Sequence, residues 1–158
     1  MAEKKLPSSW KIVEEMMKKD AFSQWLGIEV VVVDKGYAKL KMKVKEEMMN
    51  GFGIAHGGVT YSLADSALAF ASNGHGKMAV STGTSIAHFR QVQLGDTLTA
   101  EARETNLGEK VAHYQITITN QDGRSCFQVI GKAFSWGNKL SFRDVQGQEL
   151  AFIQQKLM

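Results

Sequence analysis

Cysteine occurs only once among the 158 residues, as Cys126. An internal disulfide is therefore excluded, and this usage fits a reducing compartment, so a cytoplasmic location is expected. No apolar run is long enough to span a membrane. The opening stretch from Met1 to Pro7 carries two lysines but no apolar core, and is not expected to act as a secretory signal. No serine stands in a Gly-x-Ser-x-Gly elbow, which argues against an α/β-hydrolase triad. The histidines His56, His75, His88 and His113 lack zinc-ligand spacing and Cys126 stands alone, so no metal site is expected. There is no Gly-Lys-Ser/Thr phosphate loop. The run Gly51-x-Gly53-x-x-x-Gly57 misses the dinucleotide spacing by one residue and follows Glu46-Glu47-Met48-Met49 rather than a strand. Repeats and low-complexity segments are absent, and the length suits one domain, residues 1–158, with a sizeable core. The net charge of +3 would suit a polyanionic partner. The lysines are dispersed, however, with no helix-turn-helix or aromatic platform, and they read as a solvated face rather than a nucleic-acid site.

What the chain does contain is concentrated between Asn50 and Ser72. The first half of this stretch holds Gly51, Gly53, Gly57 and Gly58, which permit positive φ and close approach of backbone to a ligand. In the second half Val59, Leu63, Ala64, Ala67, Leu68 and Ala71 recur at helical steps. A glycine turn feeding a helix leaves N–H groups unpaired at its N-terminus, where they attract an anion or a polarised carbonyl oxygen. One acid, Asp65, interrupts the apolar pattern. Burying it is costly unless it is paired or hydrogen-bonded. It is either a working carboxylate or one that faces water or an arginine.

Around this stretch the pattern is α+β. Ser9–Lys19 reads as an amphipathic helix with Ser8 or Ser9 as N-cap and a stripe of Trp10, Val13, Met16 and Met17. Phe22 and Trp25-Leu26 lead into a β-branched strand, Ile28–Asp34; Lys35-Gly36 then turns the chain into an alternating strand, Tyr37–Val44. After the helix, which ends near Asn73-Gly74, strands are expected at Ala79–Arg90, Thr97–Leu107, Lys110–Asn120 and Ser125–Trp136. In the tail, Ser141–Gly147 reads as loop, and Leu150, Ile153 and Leu157 suggest a short helix.

Asn50, Gly53, His56-Gly57-Gly58 and Leu63-Ala64-Asp65 together resemble the signature of the hotdog-fold acyl-CoA thioesterases, in their phenylacetate-pathway (PaaI-type) branch. His88-Phe89-Arg90, Leu94-Gly95-Asp96 and Asn120-Gln121-Asp122-Gly123 extend the match, which covers roughly residues 22–138. The resemblance implies a long central helix wrapped by a curved antiparallel sheet of about five or six strands. Residues 1–21 would add an N-terminal helix and 139–158 a C-terminal extension. It also implies hydrolysis of an aryl- or medium-chain acyl-CoA to free acid and CoA, without a cofactor. Coenzyme A, with its phosphates, would be the polyanion.

The same resemblance implies the roles of individual residues. Asp65 would be nucleophile or general base, and the Gly57 N–H the oxyanion donor beside Gly58. Asn50 would be a second polar contact, its alternative being an ordinary turn residue. His56 would shape the loop or lie near the thioester. Ser81 or Thr82 would supply a strand hydroxyl, and Arg90 and Lys110 would contact CoA phosphates. Met48, Met49, Phe52, Tyr61 and Phe89 are candidate walls of the acyl pocket. In one chain Gly57 and Asp65 lie eight residues apart, roughly 12 Å of helix, too far to act on one carbonyl. A two-fold dimer, or a dimer of dimers, with antiparallel helices would unite them. A hydratase or dehydratase on the same fold, and a non-catalytic acyl-CoA sensor, are the alternative readings.

Overall fold

In the strand Tyr37–Lys43 and the residue after it, Ala38, Leu40, Met42 and Val44 are buried, whereas Lys41, Lys43 and Lys45 face solvent. This alternation is the period-two pattern of a sheet with one solvated face. The computed structural model describes residues 8–135, 139–143 and 149–154. Its elements are α1 (Ser9–Lys19), α2 (Ala21–Leu26), β1 (Glu29–Asp34), β2 (Tyr37–Lys43), a 3-10 turn (Glu46–Met48), α3 (Gly57–Asn73), β3 (Ala79–His88), β4 (Thr97–Leu107), β5 (Val111–Thr119), β6 (Ser125–Ser135), β7 (Lys139–Arg143) and β8 (Glu149–Gln154). Six strands form one antiparallel sheet in the order β1-β2-β4-β5-β6-β3, and β7 pairs with β8 in a separate hairpin. β3 leaves the helix and joins the far edge of the sheet, so one of its sides carries no partner strand among the described residues.

The long helix α3 lies on the inner face of the sheet. Leu63, Ala64, Ala67, Leu68 and Ala71 are at most 1% exposed and join one core with Leu40, Leu98, Ile116, Ile118 and Val129. Small residues set the approach: a Cβ on Gly131 of β6 would stand 2.8 Å from Leu68 Cδ2. The β1–β2 turn needs a left-handed residue, and Gly36 supplies it at φ 70°. No described helix is long and apolar enough to cross a membrane.

The six strands and the long helix fall where the sequence pattern puts them, but three local expectations are corrected. Phe22–Leu26 does not lead straight into a strand; it forms α2. Asp20 caps that helix by accepting from Ser23 N at 2.9 Å, and Ser23 Oγ meets Ser66 Oγ at 2.9 Å. The aspartate cap favours a helical state for this short segment. In α1 the core-facing pair is Ile12 and Val13 at 1% exposure, while Trp10 is about half exposed. Leu150 and Ile153 lie in β8 and Ser141–Arg143 in β7, so the tail forms a hairpin rather than a loop and a helix. Lys139-Leu140-Ser141-Phe142-Arg143 alternates polar with apolar residues, the period of a strand. Leu157 and residues 144–147 lie outside the described residues.

Candidate active site

The loop that enters α3 is held from both sides: His56 N donates to Met48 O, and Ala55 N to Val92 O, both at 2.8 Å. Within it, Asn50 Oδ1 accepts from Phe52 N at 2.9 Å and Ile54 N at 3.4 Å. These bonds fix the orientation of the amide and leave Nδ2 without an acceptor among the described residues. One end of the Asn50 amide thus shapes the loop, and the residue also lines the adjacent cavity.

His56 is the N-cap of α3. Its Nδ1 accepts from Gly58 N at 2.9 Å, which puts the proton of the neutral ring on Nε2. Val59 N donates to His56 O at 2.9 Å. The N–H of Gly57 finds no acceptor among the described residues, and it stands at the positive end of a helix 17 residues long. The imidazole of His88 fills the space where a side chain on Gly57 would go: a Cβ there would lie 3.0 Å from His88 Cε1. That ring packs edge-on against Phe127 with centroids 4.7 Å apart. Asn50, Gly57, His88 and Arg90 line one cavity of about 410 Å³.

Asp65 lines a different cavity, of about 470 Å³, with Ser81 and Val80 of β3, Ala69 of α3 and Met16 of α1. The carboxylate makes no hydrogen bond or ion pair among the described residues, so neither an arginine nor a donor side chain compensates it. Burial pushes its pKa up from the ordinary carboxylate value.

The predicted site residues therefore fall into two groups within one chain. Gly57, Asn50 and Arg90 come together at the start of α3, and Asp65 and Ser81 come together near its middle. His56 and Gly58 belong to the first group through the cap, with the Gly58 N–H already used by His56. Thr82 instead bonds Lys132 O at 3.4 Å, and Lys110 sits at the β4–β5 turn, where its carbonyl accepts from Ser135 N at 2.9 Å. The candidate acyl walls fall in different places. Met48 is 2% exposed in the core, Met49 packs against it, and Phe52 is 91% exposed. Tyr61 Oη is tied to Thr84 Oγ1 at 2.8 Å, and Phe89 lines the Gly57 cavity. None of the five lines the cavity of Asp65. The wall beside Asp65 comes from α1 and β3. His88 and Met16 are the residues that sequence reasoning missed. His88 was visible only as part of the His88-Phe89-Arg90 match, and Met16 only as part of the α1 stripe. Cys126, 1% exposed, lines neither cavity; its Sγ donates to Arg124 O at 3.4 Å, and burial raises its pKa.

One long helix packed on a six-stranded antiparallel sheet is the hotdog architecture, here with an unsatisfied helix N-terminus and a half-buried carboxylate on one helix. A family model described as the thioesterase superfamily matches residues 52–127. A second, described as LURP-one-related, matches residues 97–158, a range that begins at β4 and omits α3. The acyl-coenzyme A thioesterase PaaI of Escherichia coli is 35% identical over 133 residues, covering 84% of this chain and 95% of the relative. The solved structure of E. coli PaaI superposes with a TM-score of 0.80 at 36% identity, over 82% of this chain and 94% of that one. Human acyl-coenzyme A thioesterase 13 is 30% identical over 70% of this chain and 81% of its own. A Streptococcus mutans protein crystallised with acetyl-CoA superposes with a TM-score of 0.68 at 28% identity, over 70% and 89% of the two chains. The chain belongs to the hotdog-fold thioesterase superfamily, in its PaaI-type branch.

Proposed function

We propose that this thioesterase hydrolyses acyl-CoA esters carrying an aryl or medium-chain acyl group, in a site completed by a second copy of the chain. The observation that carries the reading is the position of the two cavities at opposite ends of β3, an edge strand with one side unpartnered among the described residues. Ser81, at the start of β3, borders the cavity of Asp65, and His88, at its end, borders that of Gly57. Two copies pairing antiparallel through β3 would set the start of one strand against the end of the other. The Asp65 cavity of each copy then meets the Gly57 cavity of its neighbour, and two composite sites arise per dimer. The same pairing carries Lys110, whose neighbour Ser135 pairs with Ala79, towards Arg90 of the second copy. The two cations would then serve CoA phosphates from both sides.

In that site the Gly57 N–H and Asn50 Nδ2 donate to the thioester oxygen as it becomes an oxyanion. Asp65 either attacks the carbonyl carbon, giving a mixed anhydride that water cleaves, or takes a proton from an attacking water. Either route breaks the C–S bond, releases CoA thiol, and adds one water to yield the free acid. The raised pKa of Asp65 brings its proton affinity closer to the working pH, which suits the base route. No metal or cofactor is needed, because the thioester carbonyl is already electrophilic. Cytoplasmic residence, as inferred from the single cysteine, fits a CoA-dependent reaction.

The test is thiol release from phenylacetyl-, benzoyl- and straight-chain acyl-CoAs. Wild type should turn over, and Asp65→Asn should lose roughly 10²–10⁴-fold. Mixed Asp65→Asn and Asn50→Ala proteins should recover activity through hybrid dimers. Absence of thiol release from every ester would overturn the proposal, and absence of recovery despite proven subunit exchange would overturn the composite site.

A further inference from the structure

The cavity of about 410 Å³ at the start of α3 contains, among the described residues, two side chains that can carry a charge, His88 and Arg90. A guanidinium does not release its proton in a protein. His88 is therefore the one group lining this cavity that can both give and take a proton, and histidine is the side chain suited to doing so near neutral pH. Asp65, the other titratable group of the proposed site, lines the second cavity.

The His88 ring is held in place without being engaged. It packs edge-on against Phe127, with an interplanar angle of 76°. Its Cε1 corner points at Gly57: a Cβ built there would lie 3.0 Å from Cε1 and 3.8 Å from each of Nδ1 and Nε2. Both ring nitrogens thus flank the approach to the helix start, and neither makes a hydrogen bond or ion pair among the described residues. The other histidines near α3 are committed. His56 Nδ1 accepts from Gly58 N at 2.9 Å, and a second proton on that ring would break the cap. His75 Nε2 lies 2.6 Å from Glu104 Oε2, beyond the far end of the helix.

We propose that His88 is the group that protonates the departing sulfur of CoA. The proposal rests on the reading of Gly57 N–H as oxyanion donor, Asp65 as base and Arg90 as a phosphate contact. On that reading the thioester oxygen sits at Gly57 and the CoA phosphates reach towards Arg90, so the sulfur lies between them, along the wall that His88 forms. Pairing through β3 sets the end of one strand against the start of the other, so His88 and Asp65 of the second copy face one site. There Asp65 takes a proton from the attacking water, and the hydroxide adds to the carbonyl carbon. As the tetrahedral intermediate collapses, the C–S bond breaks with its electron pair going to sulfur. The His88 imidazolium gives its proton to that sulfur, and CoA leaves as the thiol. Asp65 then passes the water's proton to the neutral imidazole, which resets both groups. One acyl-CoA and one water have become one acid and one thiol, with no proton drawn from outside. The CoA phosphates also offset the Arg90 charge, which would otherwise oppose a proton on His88.

The test compares leaving groups in the full-length protein. Values of kcat are measured for a CoA ester that wild type hydrolyses and for the 4-nitrothiophenyl ester of the same acid, whose thiolate departs without a proton. The variants are His88→Phe, which keeps an aromatic ring against Phe127, and His88→Gln, which keeps an N–H donor but cannot pass on a proton. Thiol release from the CoA ester should fall about 10²–10⁴-fold in both, the usual contribution of a general acid, and release from the nitrothiophenyl ester should fall far less. A merely structural role would lower both esters together and leave their ratio in place. Hybrid dimers locate the group. His88→Phe mixed with Asp65→Asn should recover activity, because one of the two composite sites then has both wild-type residues. His88→Phe mixed with Asn50→Ala should not, because these two residues line the same cavity of one copy. Any other pattern of recovery, equal losses on the two esters, or activity restored by glutamine would overturn the proposal and leave thioester hydrolysis intact. If wild type releases no thiol from any ester, the thioesterase reading itself fails, and the role of His88 with it.

Discussion

The two ends of α3 are built on opposite principles. At the C-terminal end the polar groups are engaged by their neighbours. Gly74 N donates to Phe70 O at 3.0 Å, Ser9 Oγ donates to Gly74 O at 2.9 Å, and Gly36 N donates to Ala71 O at 3.2 Å. Asn73 binds the first residue of β3 through both its N–H and its carbonyl. His75 Nε2 lies 2.6 Å from Glu104 Oε2, which also accepts from the Tyr114 hydroxyl at 2.9 Å. At the N-terminal end the Gly57 N–H and Asn50 Nδ2 are unclaimed among the described residues, and two turns further on the Asp65 carboxylate is unclaimed as well. None of these groups is fully buried, and in one chain they line two cavities, which the proposed pairing through β3 would bring together. The stapled end anchors α3 to β3.

Substitutions at either end sharpen this contrast. The largest effect is expected at the open end. In Gly57→Val the Cβ alone would lie 3.0 Å from His88 Cε1, so the imidazole must give way and the added methyl groups crowd the approach to the Gly57 N–H. Thiol release should fall by roughly 10²–10³, the loss typical of an impaired oxyanion donor. Because His88 is exposed, the melting temperature should change little. Full turnover in this variant would mean that no substrate oxygen has to approach the Gly57 N–H. At the stapled end the damage should appear in stability. Asn73→Ala leaves the Ala79 N–H and C=O without side-chain partners and should cost about 1–3 kcal/mol, read as a lower urea midpoint at unchanged slope. A midpoint equal to wild type would show that this end is not the anchor.

The smallest effect is a pH dependence of stability. Burial raises the Asp65 pKa, so the folded protein binds this proton more tightly than the unfolded chain does. The favourable contribution is complete at pH values below the ordinary carboxylate pKa and is lost as pH rises through the raised one. Asp65→Asn, which carries no charge to desolvate, should therefore be more stable than wild type at neutral pH, with the difference shrinking as pH is lowered through this window. Urea titrations across the acid range check it, and a difference that does not vary with pH would show that the carboxylate is well solvated.

Much of the architecture was legible because local pattern and tertiary context agree. Thr97–Leu107 alternates, and β4 occupies the same residues; the glycine turn and apolar period of Gly57–Asn73 become α3. Where a segment is short the pattern fails, as in α2, whose state depends on one aspartate cap rather than on the aromatics that dominate its composition. The site was legible to the extent that its residues are sequence neighbours, as Asn50, His56 and Gly57 are. The wall over Asp65 was not, because Met16 reaches it from a helix about fifty positions earlier and nothing in the α1 pattern marks that contact. The same holds for His88, whose place over Gly57 is a consequence of β3 crossing to the sheet edge.

The inert environment of Cys126 makes the chain a blank background for chemical labelling. Its thiol is 1% exposed, engaged with Arg124 O and shifted away from the reactive thiolate. A cysteine introduced on exposed β3, for instance at Val80 or Ala87, would then be the thiol that a spin label or fluorophore reaches first. Distances between such labels could follow the two edge strands as copies assemble, without any need to remove the native cysteine.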